Sequence, residues 1–374
     1  MATKLDLREF NKRNIYTFIY ESDGVSKAEI SAKLQLSLQT VSHNLSELKA
    51  QGLICEAGTF NSTGGRKPKI IRVVPDSYFA VGIDITKNHV GLVLIDLKCN
   101  VLHSVRLHLE FRDTPAYFEQ FGKILQNFLS GAAVKVNREK ILGAGVSLPA
   151  IISADGKRVT YLKIFEAADN LYEKLSAVIP FPFLLFNDAN AGGAAEIRFR
   201  KSVQKIVYLS LSNSVGGAVM YTDSLYRGDN QRSGEFGHLT LKENGLPCYC
   251  GKTGCADAYC NARLLSDITD GDLSEFFIRV KNGDKTCVRE FRKYLKNLSL
   301  LVHNLRMCFD CDIVLGGYVG SYMEDFIQEF SAMVSERNPF ETDCGYVKSC
   351  SFKLEASAVG AALYFVRGFL KNIG

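Results

Sequence analysis

At 374 residues the chain is long for one domain, and length alone suggests two or three. Apolar residues make up 47% and charged residues 23%, an ordinary balance for a globular protein with a sizeable core. No apolar run approaches the roughly 18 to 20 residues that span a bilayer, so a membrane bundle is excluded. The start, Met1 to Asp6, lacks the apolar stretch of a signal peptide, and a cytoplasmic location is expected. The 11 cysteines then point away from disulfides and, where they cluster, toward metal. The net charge of +5 is unevenly spread. Residues 1–75 hold 11 Lys/Arg against 7 Asp/Glu, a net of +4, which leaves the rest of the chain near +1. A basic segment ahead of a near-neutral body points to nucleic acid at that end.

Residues 7–20 place Leu7, Phe10, Ile15, Phe18 and Ile19 near one helical face. Ser26 with Glu29 three residues on forms a capping box, and Val25 and Ile30 take the staple positions of a short helix ending near Leu34. Ser37 offers a second N-cap, with Leu36 and Val41 again at staple spacing. Two capped helices joined by so tight a turn are the helix-turn-helix signature.

The second helix, 38–51, sets Leu38, Val41, Leu45 and Leu48 on its buried side. Gln39, Thr40 and His43 project opposite, flanked by Ser42 and Asn44. With Ser37, these short polar side chains suit base edges and phosphates in a major groove. A strand from Gly52 to Glu56, a turn over 59–65 and a second strand at Ile70–Val73 then read as a wing. Its tip carries Gly65, Arg66 and Lys67, where glycine allows close backbone approach and the cations neutralise phosphate.

In the body, 79–85, 89–97 and roughly 100–109 read as three consecutive strands, followed by a helix at about 114–130 and a strand at 141–148. The opening recurs 125 residues later, Val90-Gly91 matching Val215-Gly216. A weak repeat of this length suggests two similar α/β lobes facing a cleft.

Glu235-Phe236-Gly237-His238 precedes Cys248-Tyr249-Cys250-Gly251-Lys252-Thr253-Gly254-Cys255-Ala256-Asp257. Three thiols within eight residues, with glycines permitting the turns, can wrap one ion. His238, ten residues upstream, completes a Cys₃His set of the kind that closes structural zinc tetrahedrally.

At these residues the chain resembles the ROK family of repressors, open reading frames and kinases, from about residue 7 to 370. The matches are Glu235 to His238, Cys248 to Asp257 (Asp standing where the family has Glu), Asn187 to Asn190, Gly145 to Ala150 and Gly316-Gly317. The fused winged helix is similar to the sugar-responsive repressor branch, which includes xylose and N-acetylglucosamine repressors.

The resemblance implies an α/β chain in which a winged helix-turn-helix at 1–75 precedes a two-lobed, actin-like (RNase H-like) sugar-kinase fold. Its first lobe is expected at 76–195 plus 355–374. The second, expected at 196–354, would carry the zinc loop and a dimerisation surface. A sugar or sugar phosphate is expected between the lobes, on Asn187, Asp188, Glu235, His238 and Asp257. Asp188 matches the family's general base, here vestigial.

The family's first phosphate turn, Asp-x-Gly-Gly-Thr, falls on Asp84-Ile85-Thr86-Lys87-Asn88, and the second on Ser212-Asn213-Ser214-Val215-Gly216. Most of the glycines that let backbone amides close on a triphosphate are lost. ATP is therefore not expected, and the expected function is a repressor of carbohydrate-utilisation genes. The alternative is an active ATP-dependent sugar kinase with a DNA-binding extension; a body that answers to a protein, and activation in place of repression, also stay open. One helix-turn-helix makes few contacts, so a homodimer or dimer of dimers on palindromic operator DNA is expected.

Overall fold

The computed structural model describes residues 4–60, 67–131, 137–163, 165–167, 170–200, 203–222 and 224–373. Three helices open the chain, α1 (Lys4–Glu21), α2 (Lys27–Leu34) and α3 (Leu38–Ala50), followed by the antiparallel pair β1 (Ile54–Thr59) and β2 (Lys69–Val73). The capping box at Ser26 and Glu29 forms as expected, and Ser37 caps α3 by accepting the Thr40 N–H. Val25 also bridges to Ile71 with two backbone hydrogen bonds, extending the wing pair toward the helices. Ile15, Tyr16, Ile19, Ile30, Val41 and Leu48 close a small core. Three expected members stay outside it: Leu7, Phe10 and Leu38 are 57%, 49% and 54% exposed. Each sits in the first turns of its helix, where, among the described residues, no neighbouring element buries it.

The next elements are β3 (Phe79–Ile85), β4 (His89–Asp96), β5 (Val101–His108), α4 (Pro115–Gly131), β6 (Ile141–Leu148), the short pair β7 (Ile151–Ile152) and β8 (Val159–Tyr161), α5 (Leu171–Ser176), β9 (Phe183–Asn187) and α6 (Asp188–Phe199). Then come β10 (Lys205–Leu211), β11 (Val215–Tyr221), β12 (Ser224–Tyr226), α7 (Asp257–Cys260), α8 (Arg263–Ser266), α9 (Leu273–Lys281) and α10 (Lys285–Phe309). The chain ends with β13 (Asp312–Gly316), α11 (Gly317–Gly320), α12 (Ile327–Ser335), β14 (Val347–Ser349) and α13 (Ala356–Asn372).

Two five-stranded sheets result, ordered β5-β4-β3-β6-β9 and β12-β11-β10-β13-β14. Each has an antiparallel hairpin on one side and two parallel strands on the other. The repeat seen in sequence is thus a repeat of topology. Val90 and Gly91 pair with Ile85 and Asp84, just as Val215 and Gly216 pair with Leu211 and Ser210. Every residue of β3 is buried, because helices cover both faces of that sheet, and the strand is apolar but for Asp84 near its end.

Helices α6 and α13 lie between the sheets. α6 packs on β10 and β11, α13 on β3 and β6, and the two pack on each other. At their crossing a Cβ on Gly360 would stand 1.7 Å from the Ala191 carbonyl oxygen, so only glycine permits this approach. The far end of α13 leaves the body: Phe369, Leu370 and Ile373 join the core of the N-terminal helices.

Candidate functional site

The helix-turn-helix presents a polar N-terminal face on α3. Ser37, Gln39 and His43 are exposed, Thr40 and Ser42 partly so. Ser37 is tied up locally, its hydroxyl serving both the Thr40 N–H and the Thr40 hydroxyl, so its first duty is to start the helix. His43 is held 3.1 Å from Glu47, which also meets Arg8 and Lys12, orienting the imidazole from α1. Asn44 corrects the expectation. It is 2% exposed and its amide donates to the Thr40 carbonyl, which removes it from the groove-facing set. Its position, one residue from His43, rotates it toward the core. Of the wing-tip residues Lys67 is exposed, while Gly65 and Arg66 lie outside the described residues.

The second site lies between the sheets. Asn187 ends β9 and caps α6, its carbonyl accepting the Asn190 N–H while its amide donates to the Ala150 carbonyl. Asp188 is the first residue of α6, with one oxygen on the Ala189 N–H at 2.8 Å. Its carboxyl lies against protein on most sides and opens into the cleft. Burial, then the Asp84 carboxylate and Glu235, push it up to about 7, with the Ala189 N–H pulling the other way. Asp84 sits at the end of β3, takes the Ser147 hydroxyl at 2.7 Å and is itself raised by burial. Glu235 is likewise raised by burial, against the opposing pull of His238 and Arg232. Three carboxyls are therefore gathered where one proton is readily held near neutral pH.

Asn187, Asp188, Glu235 and His238 line one compartment of this cleft. Asp257 does not join them: it is 4% exposed and its carboxylate accepts the Val215 N–H at 2.6 Å, bracing the start of β11 from behind. Tyr161, Lys163 and Tyr249 line the compartment and were missed from sequence. Tyr249 had a signal, since it stands between two cysteines whose thiols turn inward, which turns its ring outward. The adjoining compartment holds Asp84, Thr86, Lys87, Ser212, Asn213, Ser214 and Gly317, with Lys353 and Ser357 from the far end of the chain. Side chains thus stand where glycine-rich turns would offer bare amides to a triphosphate.

The third feature abuts the cleft. The ligand atoms of His238, Cys248, Cys250 and Cys255 all lie within 4.8 Å of one another. The Cys248 Sγ–His238 Nδ1 and Cys250 Sγ–Cys255 Sγ separations are both 3.8 Å. Four ligands at about 2.3 Å from one ion stand about 3.8 Å apart, so the set fits a tetrahedral metal ion. Gly254 makes the wrap possible: its φ is +79° and a Cβ there would stand 1.8 Å from the Lys242 carbonyl oxygen. With Nδ1 turned to the thiols, His238 keeps Nε2 for the Tyr249 hydroxyl, 3.3 Å away, and for the cleft.

Residues 80–367 match the ROK family, and residues 11–54 match winged helix-turn-helix DNA-binding. The chain is 27% identical over 271 residues to the xylose repressor of Bacillus subtilis (strain 168), covering 71% of this chain and 69% of that protein. It is 25% identical over 355 residues to a putative xylose repressor of Caldicellulosiruptor sp. (strain Rt8B.4), covering 88% of each. In three dimensions it is similar to a ROK family transcriptional regulator, a homologue of the E. coli MLC protein. That match has a TM-score of 0.74 at 17% identity and covers 98% of both chains.

Proposed function

Since this chain belongs to the ROK family and carries a winged helix-turn-helix at its N-terminus, we propose that it is a transcription repressor of carbohydrate-utilisation genes whose grip on operator DNA is relieved by a sugar in the interlobe cleft. The observation that carries this reading is the join of two devices in one chain. The chain that carries a helix with an exposed polar N-terminal turn also carries a carboxyl-lined cleft whose phosphate turns have lost their glycines.

Gln39, Thr40, Ser42 and His43 read the major groove, Ser37 positions them, and Lys67 with Gly65 and Arg66 works as the wing. Asn187, Asp188, Glu235 and His238 take the sugar hydroxyls. Asp188, which would be the base in a kinase, here accepts a sugar O–H without phosphoryl transfer following. His238, Cys248, Cys250 and Cys255 would hold zinc, which would pin the loop and fix the His238 tautomer, leaving Nε2 to address the ligand. Residues 1–75 form the reading head, 76–195 with 355–374 the first lobe and 196–354 the second, which also carries the pairing surface of a homodimer. The names of the relatives favour D-xylose as the first sugar to try.

Substitution tests the assignment. Asp188→Ala is expected to keep operator binding and lose the sugar response; an unchanged response rejects the cleft as the effector site.

A further inference from the structure

Both helices that run between the lobes start in the cleft and finish on the DNA-binding head. The first residue of α6 is Asp188; ten residues on, Arg198 Nη2 donates to the Tyr20 hydroxyl of α1 at 3.0 Å. The first turn of α13 supplies Ala356 and Ser357 to the cleft wall, and its last turns put Phe369 edge-on to Tyr16 at 6.5 Å between centroids. At 1.5 Å per residue these helices reach about 18 and about 26 Å, and each is continuous over that length.

Tyr20 is the point where the head is fastened. It is 4% exposed, donates its hydroxyl proton to the Leu97 carbonyl at 2.7 Å and accepts from Arg198. Its pKa is raised to about 12, by burial above all, so it stays a donor at working pH. The Lys98 ammonium donates to the Tyr20 carbonyl and lies over its ring. One side chain of α1 thus touches the β4–β5 turn of the first lobe and the far end of the helix that begins at the sugar-binding carboxylate.

We infer that Tyr20 and Arg198 are positioning residues that couple the cleft to the reading head, α6 acting as the lever and α13 as its partner. The inference rests on the sugar-responsive reading above and extends it to a route. A ligand gripped at the N-terminus of α6 changes how α6 lies across α13. A rigid helix carries that change to Arg198, and Tyr20 converts it into a movement of α1 and the recognition helix packed on it. Packed helices meeting at backbone distance, as at Gly360, shift between discrete arrangements rather than deforming continuously.

The test uses the full chain, an operator duplex and D-xylose, with a wider sugar panel screened by thermal shift in parallel. Calorimetry reads sugar affinity, and fluorescence anisotropy reads operator affinity with and without sugar. The ratio of those two operator affinities in the parent is expected between about 5- and 150-fold. Tyr20→Phe and Arg198→Gln should leave sugar affinity and sugar-free operator affinity close to the parent while the ratio falls toward one. Arg198→Lys, still able to donate to Tyr20, should keep more of it. A ratio that survives both Tyr20→Phe and Arg198→Gln overturns the route.

A second reading needs no sugar: operator binding should slow amide hydrogen exchange across 188–199 in the parent and not in Tyr20→Phe. Should no sugar act on the parent, the carbohydrate reading fails by itself. Exchange that ignores the operator, or ignores Tyr20, overturns the lever.

Discussion

Replacing Asp188 with asparagine, which keeps size and shape, should change how the protein's stability depends on pH. In the fold the carboxyl is raised from 3.8 to about 7, about 3 units, or about 4 kcal/mol at 1.36 kcal/mol per unit. The cleft admits solvent to this group, so about half of that is a reasonable expectation. The sign follows from proton counting. Between the unfolded and folded values the native state binds the extra proton, so the parent loses stability as pH rises from about 4 to about 7. The penalty is complete above that and absent below.

Asp188→Asn carries no such penalty. Relative to the parent it should be more stable by about 2 kcal/mol at pH 8, with the margin shrinking to about half by pH 5. Denaturant unfolding of both proteins at pH 5, 6, 7 and 8 measures it. A stability difference that is flat across this range, or grows toward acid, refutes the claim that burial and the neighbouring carboxyls hold this group near neutrality.

Other outcomes follow from single contacts. Metal analysis should find one equivalent of zinc in the parent and none in Cys250→Ser. The substitution should also lower stability by about 4 kcal/mol if the free ion stands at a thousand times its dissociation constant; full zinc content in the variant refutes the ligand set. Ser37→Ala removes the acceptor for the Thr40 N–H and should cost about 1 kcal/mol in denaturant unfolding, whereas no change would deny the cap. Operator affinity should fall steeply with salt, and Lys67→Ala should lower the log–log slope by about 1. An unaltered slope takes the wing off the phosphates.

The helix-turn-helix was legible because caps are local. Ser26, Glu29 and Ser37 act on amides within three residues, so sequence spacing and structure coincide. That His238, Cys248, Cys250 and Cys255 come together was legible for a related reason, since the three cysteines fall inside eight residues. Asn44 and Asp257 were misread because helical phase and motif spacing say which residues are near a site without saying which way each side chain turns. Asn44 turned to its own helix, and Asp257 turned to Val215.

Lys353, Ser357 and the Tyr20–Arg198 contact left no local trace. Tyr20 and Arg198 stand 178 residues apart, and Lys353 and Ser357 reach the compartment of Asp84 only because the last segment of the chain returns to the first sheet. Leu38 looked like core from its spacing, but a spacing cannot report that, among the described residues, the first turn of α3 stays half exposed.

A sugar-relieved repressor requires cleft and reading head to form one thermodynamic unit. Calorimetric titration of sugar into the free protein, and into the same protein saturated with operator duplex, tests it most directly. Linkage requires the sugar to bind the operator complex more weakly, by the same factor by which sugar weakens operator binding. Equal sugar affinity in the two titrations would mean that cleft and reading head are uncoupled.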